Sequence, residues 1–189
     1  MEQDQPWIWP VLDSLQSFSI IRDGAIRFLS SQQMIDCMEL MDSLDGVYGY
    51  VVRYGLELQK DYEPRGSHIC GYEKRSVAFR LKSFKHVLRG DNDSLKASVL
   101  ANPVTVGINA SKLMYYVSGI YADWTCDPQG IDTSMILIGY GKEGTQGYWN
   151  VQANWGTTWG ESGYIRLARK EGKGVGICGI TEMAAYPTA

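Results

Sequence analysis

The spacing of the apolar residues changes once along the chain, and that change limits the fold more than any other feature. Before about residue 102 hydrophobic side chains recur at helical spacing; after it they alternate or run together at strand length. Leu15, Phe18, Ile21, Ala25 and Phe28 predict a long buried first helix. Asp13 or Ser14 would cap it, with Gln16 in the capping-box position. Ser30 and Gln33 repeat that pattern and open a second helix carrying Met34, Ile35, Met38 and Met41. A third is expected over residues 46–54, stopping at Gly55. Residues 61–71 read as a loop punctuated by Pro64, Gly66 and Gly71. A short helix over 94–101, capped by Asn92 or Asp93, precedes strands over 103–109, 134–141, 148–155 and 164–168. Helices first and strands second predict an α+β fold in one domain over 1–189. Within it, a helical lobe (about 9–102) stands beside a β-rich lobe (about 103–189).

Composition excludes several roles. A net charge of −3 with no basic patch that stands out argues against nucleic acid as a partner. No apolar run approaches the roughly 20 residues that span a bilayer. Residues 1–10 are acidic and Trp-rich and lack the basic start and apolar centre of a signal peptide. Either the protein is not secreted or its targeting segment lies outside this sequence. Cys37, Cys70, Cys126 and Cys178 form no CxxC pair, and His68 and His86 are the only histidines, so no metal site is expected. Four cysteines fit two disulfides and equally fit four buried thiols. Two sequons, Asn92-Asp93-Ser94 and Asn109-Ala110-Ser111, matter only in a secreted protein.

The second half carries a dense motif. Gly147-Tyr148-Trp149-Asn150-Val151-Gln152-Ala153-Asn154-Trp155-Gly156-Thr157-Thr158-Trp159-Gly160-Glu161-Ser162-Gly163-Tyr164-Ile165 resembles the "YWxVKNSWGxxWGExGYI" block of papain-like (C1) cysteine peptidases of the cathepsin L and plant-papain type. In order along the chain, residues 29–37 resemble "LSEQxLVDC", 103–108 "GPVSVAI", 118–121 "SGIY", 138–141 "VGYG", and Cys178-Gly179-Ile180 with Tyr186-Pro187 "CGI…YP". The resemblance spans about residues 9–189. It implies a helical left lobe, a β-barrel-like right lobe and a substrate cleft between them. It also implies bridges Cys37–Cys70 and Cys126–Cys178, hence an oxidising compartment: secretory pathway, lysosome, vacuole or cell exterior.

Chemistry in that family needs a thiolate, a histidine to hold its proton, an Asn that orients the histidine, and an oxyanion site made by a backbone N–H and a Gln amide. The nucleophile is the second Cys of "CGSCWAFS" and opens the first helix. Matching Phe18-Ser19 to "FS" assigns that position to Leu15 and the oxyanion Gln to Trp9. The histidine position falls on Thr133 and the Asn position on Ala153. Asn154 is one residue along and would stand in only through a bulge. None of these side chains can attack a carbonyl or act as a base. Ser14 and Ser17 flank Leu15, but a serine without a base is a weak nucleophile. A further disulfide of the family aligns with Leu12 and Leu44, which suggests replacement by apolar packing. In "GCNGG", matched to residues 43–47, Gly46 is retained and Val47 replaces the last glycine, narrowing the cleft that Trp155 also lines.

The resemblance with these losses implies an inactive homologue needing no cofactor, acting through a protein partner or as a subunit of a larger assembly. Two alternatives stand beside it: a peptidase with a rearranged site, and a ligand- or carbohydrate-binding module suggested by 12 Tyr and 6 Trp. No inhibitory prosegment precedes the motifs, which loss of activity and truncation explain equally.

Overall fold

The computed structural model describes residues 6–38, 43–66 and 68–189. The chain divides into two compact units, residues 1–85 with 187–189 and residues 86–186. The boundary falls earlier than the one expected near residue 102, because the fourth helix belongs with the sheet.

The first unit holds α1 (Ile8–Asp23), α2 (Ser31–Cys37), α3 (Leu44–Arg53) and a two-stranded antiparallel sheet of β1 (Leu56–Glu57) and β2 (Val77–Phe79). The first helix departs from expectation at both ends. It starts at Ile8 with Trp7 as N-cap, so Asp13 and Ser14 lie inside it and cap nothing. Pro10 sits in its first turn, where a missing N–H is harmless because first-turn donors have no intrahelical partner. The helix ends at Gly24, whose left-handed φ of 69° closes it with a bond from Gly24 N to Ile20 O. Ala25 and Phe28 are therefore outside the helix, and Ile21 and Phe28 are 58% and 69% exposed rather than buried.

The second helix starts as its cap predicts, Ser30 Oγ accepting from Gln33 N. The third starts at Leu44, two residues before the expected 46, where Ser43 Oγ accepts from Gly46 N. The Gln33 side chain does not complete a capping box. It donates to Gly55 O and Tyr50 Oη and accepts from Glu57 N, tying α2 to the end of α3 and to β1. Met41 falls outside the described residues, as do Met1 to Gln5 of the acidic start.

The second unit holds α4 (Asn92–Ala101) and the strands β4 (Val104–Ile108), β5 (Ile120–Tyr121), β6 (Thr133–Glu143), β7 (Gln146–Gln152) and β8 (Tyr164–Arg169); β3 (Ser83–His86) and β9 (Ala184–Thr188) straddle the boundary. Asp91, not Asn92 or Asp93, caps α4 by accepting from Asp93 N and Ser94 N. Strand order is β9-β4-β6-β7-β8-β5, antiparallel except for β5 with β8. Register places Val104, Leu137, Val151 and Ile165 in one row across four strands, all with no exposed surface. Each such side chain contributes roughly 1.5–3 kcal/mol by burial, and a one-residue slip of any strand would lose the whole row.

Candidate functional site

In the first unit, Leu15 lies in the second turn of α1 and is fully buried. The expectation that it opens the helix fails for the reason already seen: the helix begins seven residues earlier. The residues at the helix start are Pro6 and Trp7, with Trp9 38% exposed on the first turn. Sequence matching through Phe18-Ser19 missed them. The signal that would have found them is Trp7-Ile8-Trp9-Pro10, an apolar first turn with its proline where a helix tolerates one. Ser14 is buried and its Oγ accepts from Tyr48 Oη at 3.3 Å. Asp13, on the same helix, has its carboxyl pushed above the usual range by burial.

Leu12 and Leu44 are both buried, on helices that pack together. Val47 is also fully buried, on α3 with Tyr48 and Val51, so it presents no surface to narrow a cleft. Gly46 instead lines an open hollow of about 450 Å³ on α3, with Gly49, Tyr50, Arg53 and Tyr54. Burial pushes the Tyr50 hydroxyl up to about 12.

In the second unit the assigned positions converge. Thr133 opens β6, opposite Ile108 of β4, and Ala153 directly follows β7. Because β6 and β7 are antiparallel, both lie at the same end of the sheet. Ala153 is buried and its N–H donates to Gly163 O. Asn154, two residues beyond the end of β7, is exposed. The β6–β7 register shift lies between Leu137 and Gly139, not at Asn154, so no bulge turns that amide inward. Trp155 stacks edge-on against Trp159 with centroids 4.6 Å apart, and Trp159 Nε1 donates to Leu113 O at 3.2 Å. A threonine hydroxyl, a methyl group and an indole at this end supply no base.

All four cysteines are consumed in the bridges Cys37–Cys70 and Cys126–Cys178, and no free thiol remains. Both histidines are exposed, His68 in a loop and His86 at the end of β3. Among the described residues no cluster of His, Cys, Asp and Glu could hold a metal ion, and no helix is long and apolar enough to cross a membrane. Both sequon asparagines are buried. Asn92 Nδ2 donates to Gly172 O and Gly174 O, and Asn109 Nδ2 donates to Asp127 O, so neither amide is open to glycosylation once the chain has folded.

Comparison with known proteins supplies the family. Residues 6–188 match the papain family cysteine proteases. A cathepsin L-like proteinase of Fasciola hepatica is 34% identical over 96% of this chain and 58% of its own length. Cysteine proteinase 3 of Dictyostelium discoideum is 31% identical over 93% of this chain and 55% of its own. The chain thus spans little more than half the length of these relatives. Among solved structures, the bromelain protease of Ananas comosus, in complex with the E64 inhibitor, superposes with a TM-score of 0.87 at 26% identity, covering 98% of this chain and 91% of that one. With the fold, the two bridges and the motif series in agreement, this chain belongs to the papain family of cysteine proteases.

Proposed function

We propose that this protein is a non-catalytic member of the family that works by binding a protein partner or as a subunit of an assembly. The observation that carries this reading is the absence of a thiol: every cysteine is in a disulfide. Cysteine-protease chemistry begins with a thiolate, and nothing in this sequence can supply one.

The start of α1 supports a different nucleophile position within this reading. In "CGSCWAFS" the nucleophile precedes a tryptophan and opens the first helix. Here Trp7 caps α1 and Pro6 precedes it. Pro6 removes two functions at once, because proline has neither a nucleophilic side chain nor the backbone N–H that would serve the oxyanion. Thr133 and Ala153 stand where the base and its orienting amide would be. Four lost groups on separated segments argue against a rearranged but active site. Ser14, the nearest hydroxyl to the earlier assignment, is sealed in the core. The two disulfides fit an oxidising compartment such as the secretory pathway or lysosome.

Hydrolysis of a broad fluorogenic peptide library by the purified protein tests this. Silence at every pH from 4 to 8 is expected; cleavage that survives repurification and is lost on Ser17→Ala would sink it.

A further inference from the structure

Charge is unevenly distributed along this acidic chain. Residues 60–85 carry seven Lys and Arg against three Asp and Glu, while the remainder carries eleven against eighteen. From Lys74 to Lys85 there are five cations and no carboxylate. The expectation that no basic patch stands out holds for the chain as a whole and fails for this segment, which lies within the first unit.

The fold turns these cations outward. Phe79 and Leu81 are buried, at 2% and 1% exposure, while Arg80 and Lys82 between and after them are exposed. Such alternation puts two positive side chains on one outward face, about 6.6 Å apart along an extended chain. Phe84 stacks on Tyr48 with ring centroids 5.0 Å apart, and Lys85 next to it is exposed. The Arg80 guanidinium donates to the carbonyls of Arg53 and Tyr54, which orients it without neutralising it. Arg75 reaches Glu73, but Lys74, Lys82 and Lys85 meet no carboxylate among the described residues. Massed like charge of this kind opposes compaction. One or two lysines are enough to guard a strand edge against aggregation; five cations in twelve residues exceed that need.

We infer that this strip is a docking surface for an acid-rich, extended polypeptide segment of a partner protein. Two features select a polypeptide over other polyanions. Carboxylates at alternate positions of an extended chain repeat at the same spacing of about 6.6 Å as Arg80 and Lys82. Beside the cations, β2 is paired only with β1 among the described residues, so its outer edge has backbone groups that a polypeptide can pair and a sulfated glycan or a lipid headgroup cannot. The inference stands whether or not the protein retains hydrolytic activity.

The test is fluorescence anisotropy of a labelled peptide of alternating Glu and Thr, titrated with the full chain at about 50 mM salt and again at about 500 mM. Saturable binding that weakens with salt is expected. The Kd should rise about tenfold or more in Lys82→Glu/Lys85→Glu, given a few tenths to one kcal/mol per exposed charge contact. Lys82→Gln/Lys85→Gln, which keeps the size of the side chains and adds no repulsion, should show a smaller rise in the same direction. Unchanged melting temperatures would tie the loss to the surface. The inference is overturned by absence of saturable binding at low salt or by equal affinity in both variants, either of which leaves the cations as an edge guard. Tighter retention of a heparin fragment, a nucleic-acid duplex or phosphatidylserine vesicles than of the peptide at the same salt also overturns it.

Discussion

The two halves of the proposed vacated site differ in how firmly the fold constrains them. In the sheet unit, Thr133 and Ala153 sit at the ends of strands whose register is fixed. Four consecutive strands share a buried row, and a shift of one residue would expose all of it. In the helical unit, no comparable constraint ties sequence to position. A helix can slide its start by a turn or more and keep the same buried stripe, and only its caps and breakers decide where it begins. We therefore propose Pro6 rather than Leu15 for the nucleophile position in the first unit and keep Thr133 and Ala153 as proposed in the second.

The largest effect expected from this contrast is chemical. Wild-type protein offers no thiol, so any alkylation by iodoacetamide in a single-cysteine variant reports the new residue alone. Pro6→Cys, just before the helix start, should react readily, with a thiol pKa drawn below the usual value of about 8.5 by the helix N-terminus. Leu15→Cys, fully buried, should stay unreactive until the protein unfolds. Equal reactivity at the two positions would show that the helix start does not mark the nucleophile position.

Next in size is the cost of emptying each core. Leu15→Ala should lower stability by about 2–5 kcal/mol, a loss readable by urea denaturation, because the buried helix face cannot collapse around the cavity. A loss below about 1 kcal/mol would mean that Leu15 is less tightly packed than its zero exposure indicates.

These particular residues show what was legible. The strands β4, β6, β7 and β8 follow from pattern, and both bridges from the family resemblance. The short strands β1, β2, β3 and β5 carry two to four residues each, too few for a period to emerge, and β9 contains Pro187, which weakens any strand signal. Ser30 marks its helix start because its side-chain oxygen caps it, whereas the matching cap at Ser43 went unread. The start of α1 has no such oxygen; Trp7 caps it without a side-chain bond. Gly24 then ends the helix while the apolar spacing runs on to Phe28, so periodicity alone overshot. Val47 was expected to narrow the cleft because the motif match sets it in place of a glycine, whereas on the helix capped by Ser43 it turns inward and is fully buried.

Smaller effects sharpen the same point about helix ends. Ser30→Ala should cost about 1 kcal/mol by releasing Gln33 N from its cap. Gly24→Ala should cost about 1–2 kcal/mol, from the left-handed backbone alone, since an added Cβ there meets nothing within 4 Å. A neutral or stabilising Gly24→Ala, measured by thermal melting, would show that α1 does not end in a left-handed cap and would reopen where the helix begins.

The smallest effect belongs to the sheet unit and depends on pH. Glu161 accepts two bonds from Arg166, at 2.8 and 2.7 Å, and a third from Gly119 N at 2.8 Å. The guanidinium is the main reason its carboxyl is held down to about 2, from an ordinary value of 4.5. These bonds hold the turn before β5 to β8. A depressed carboxylate stabilises the fold fully above its unfolded value, and the contribution fades as pH falls from about 4.5 toward 2. Both side chains are roughly a quarter exposed, so solvent screening limits the contribution to about 1 kcal/mol or less. Glu161→Gln should therefore melt a few degrees below wild type at pH 6, and the gap should close as the pH approaches 2. A gap that persists unchanged at pH 2 would mean that the glutamate acts through packing rather than charge, and that the β5 edge is held by its neighbours alone.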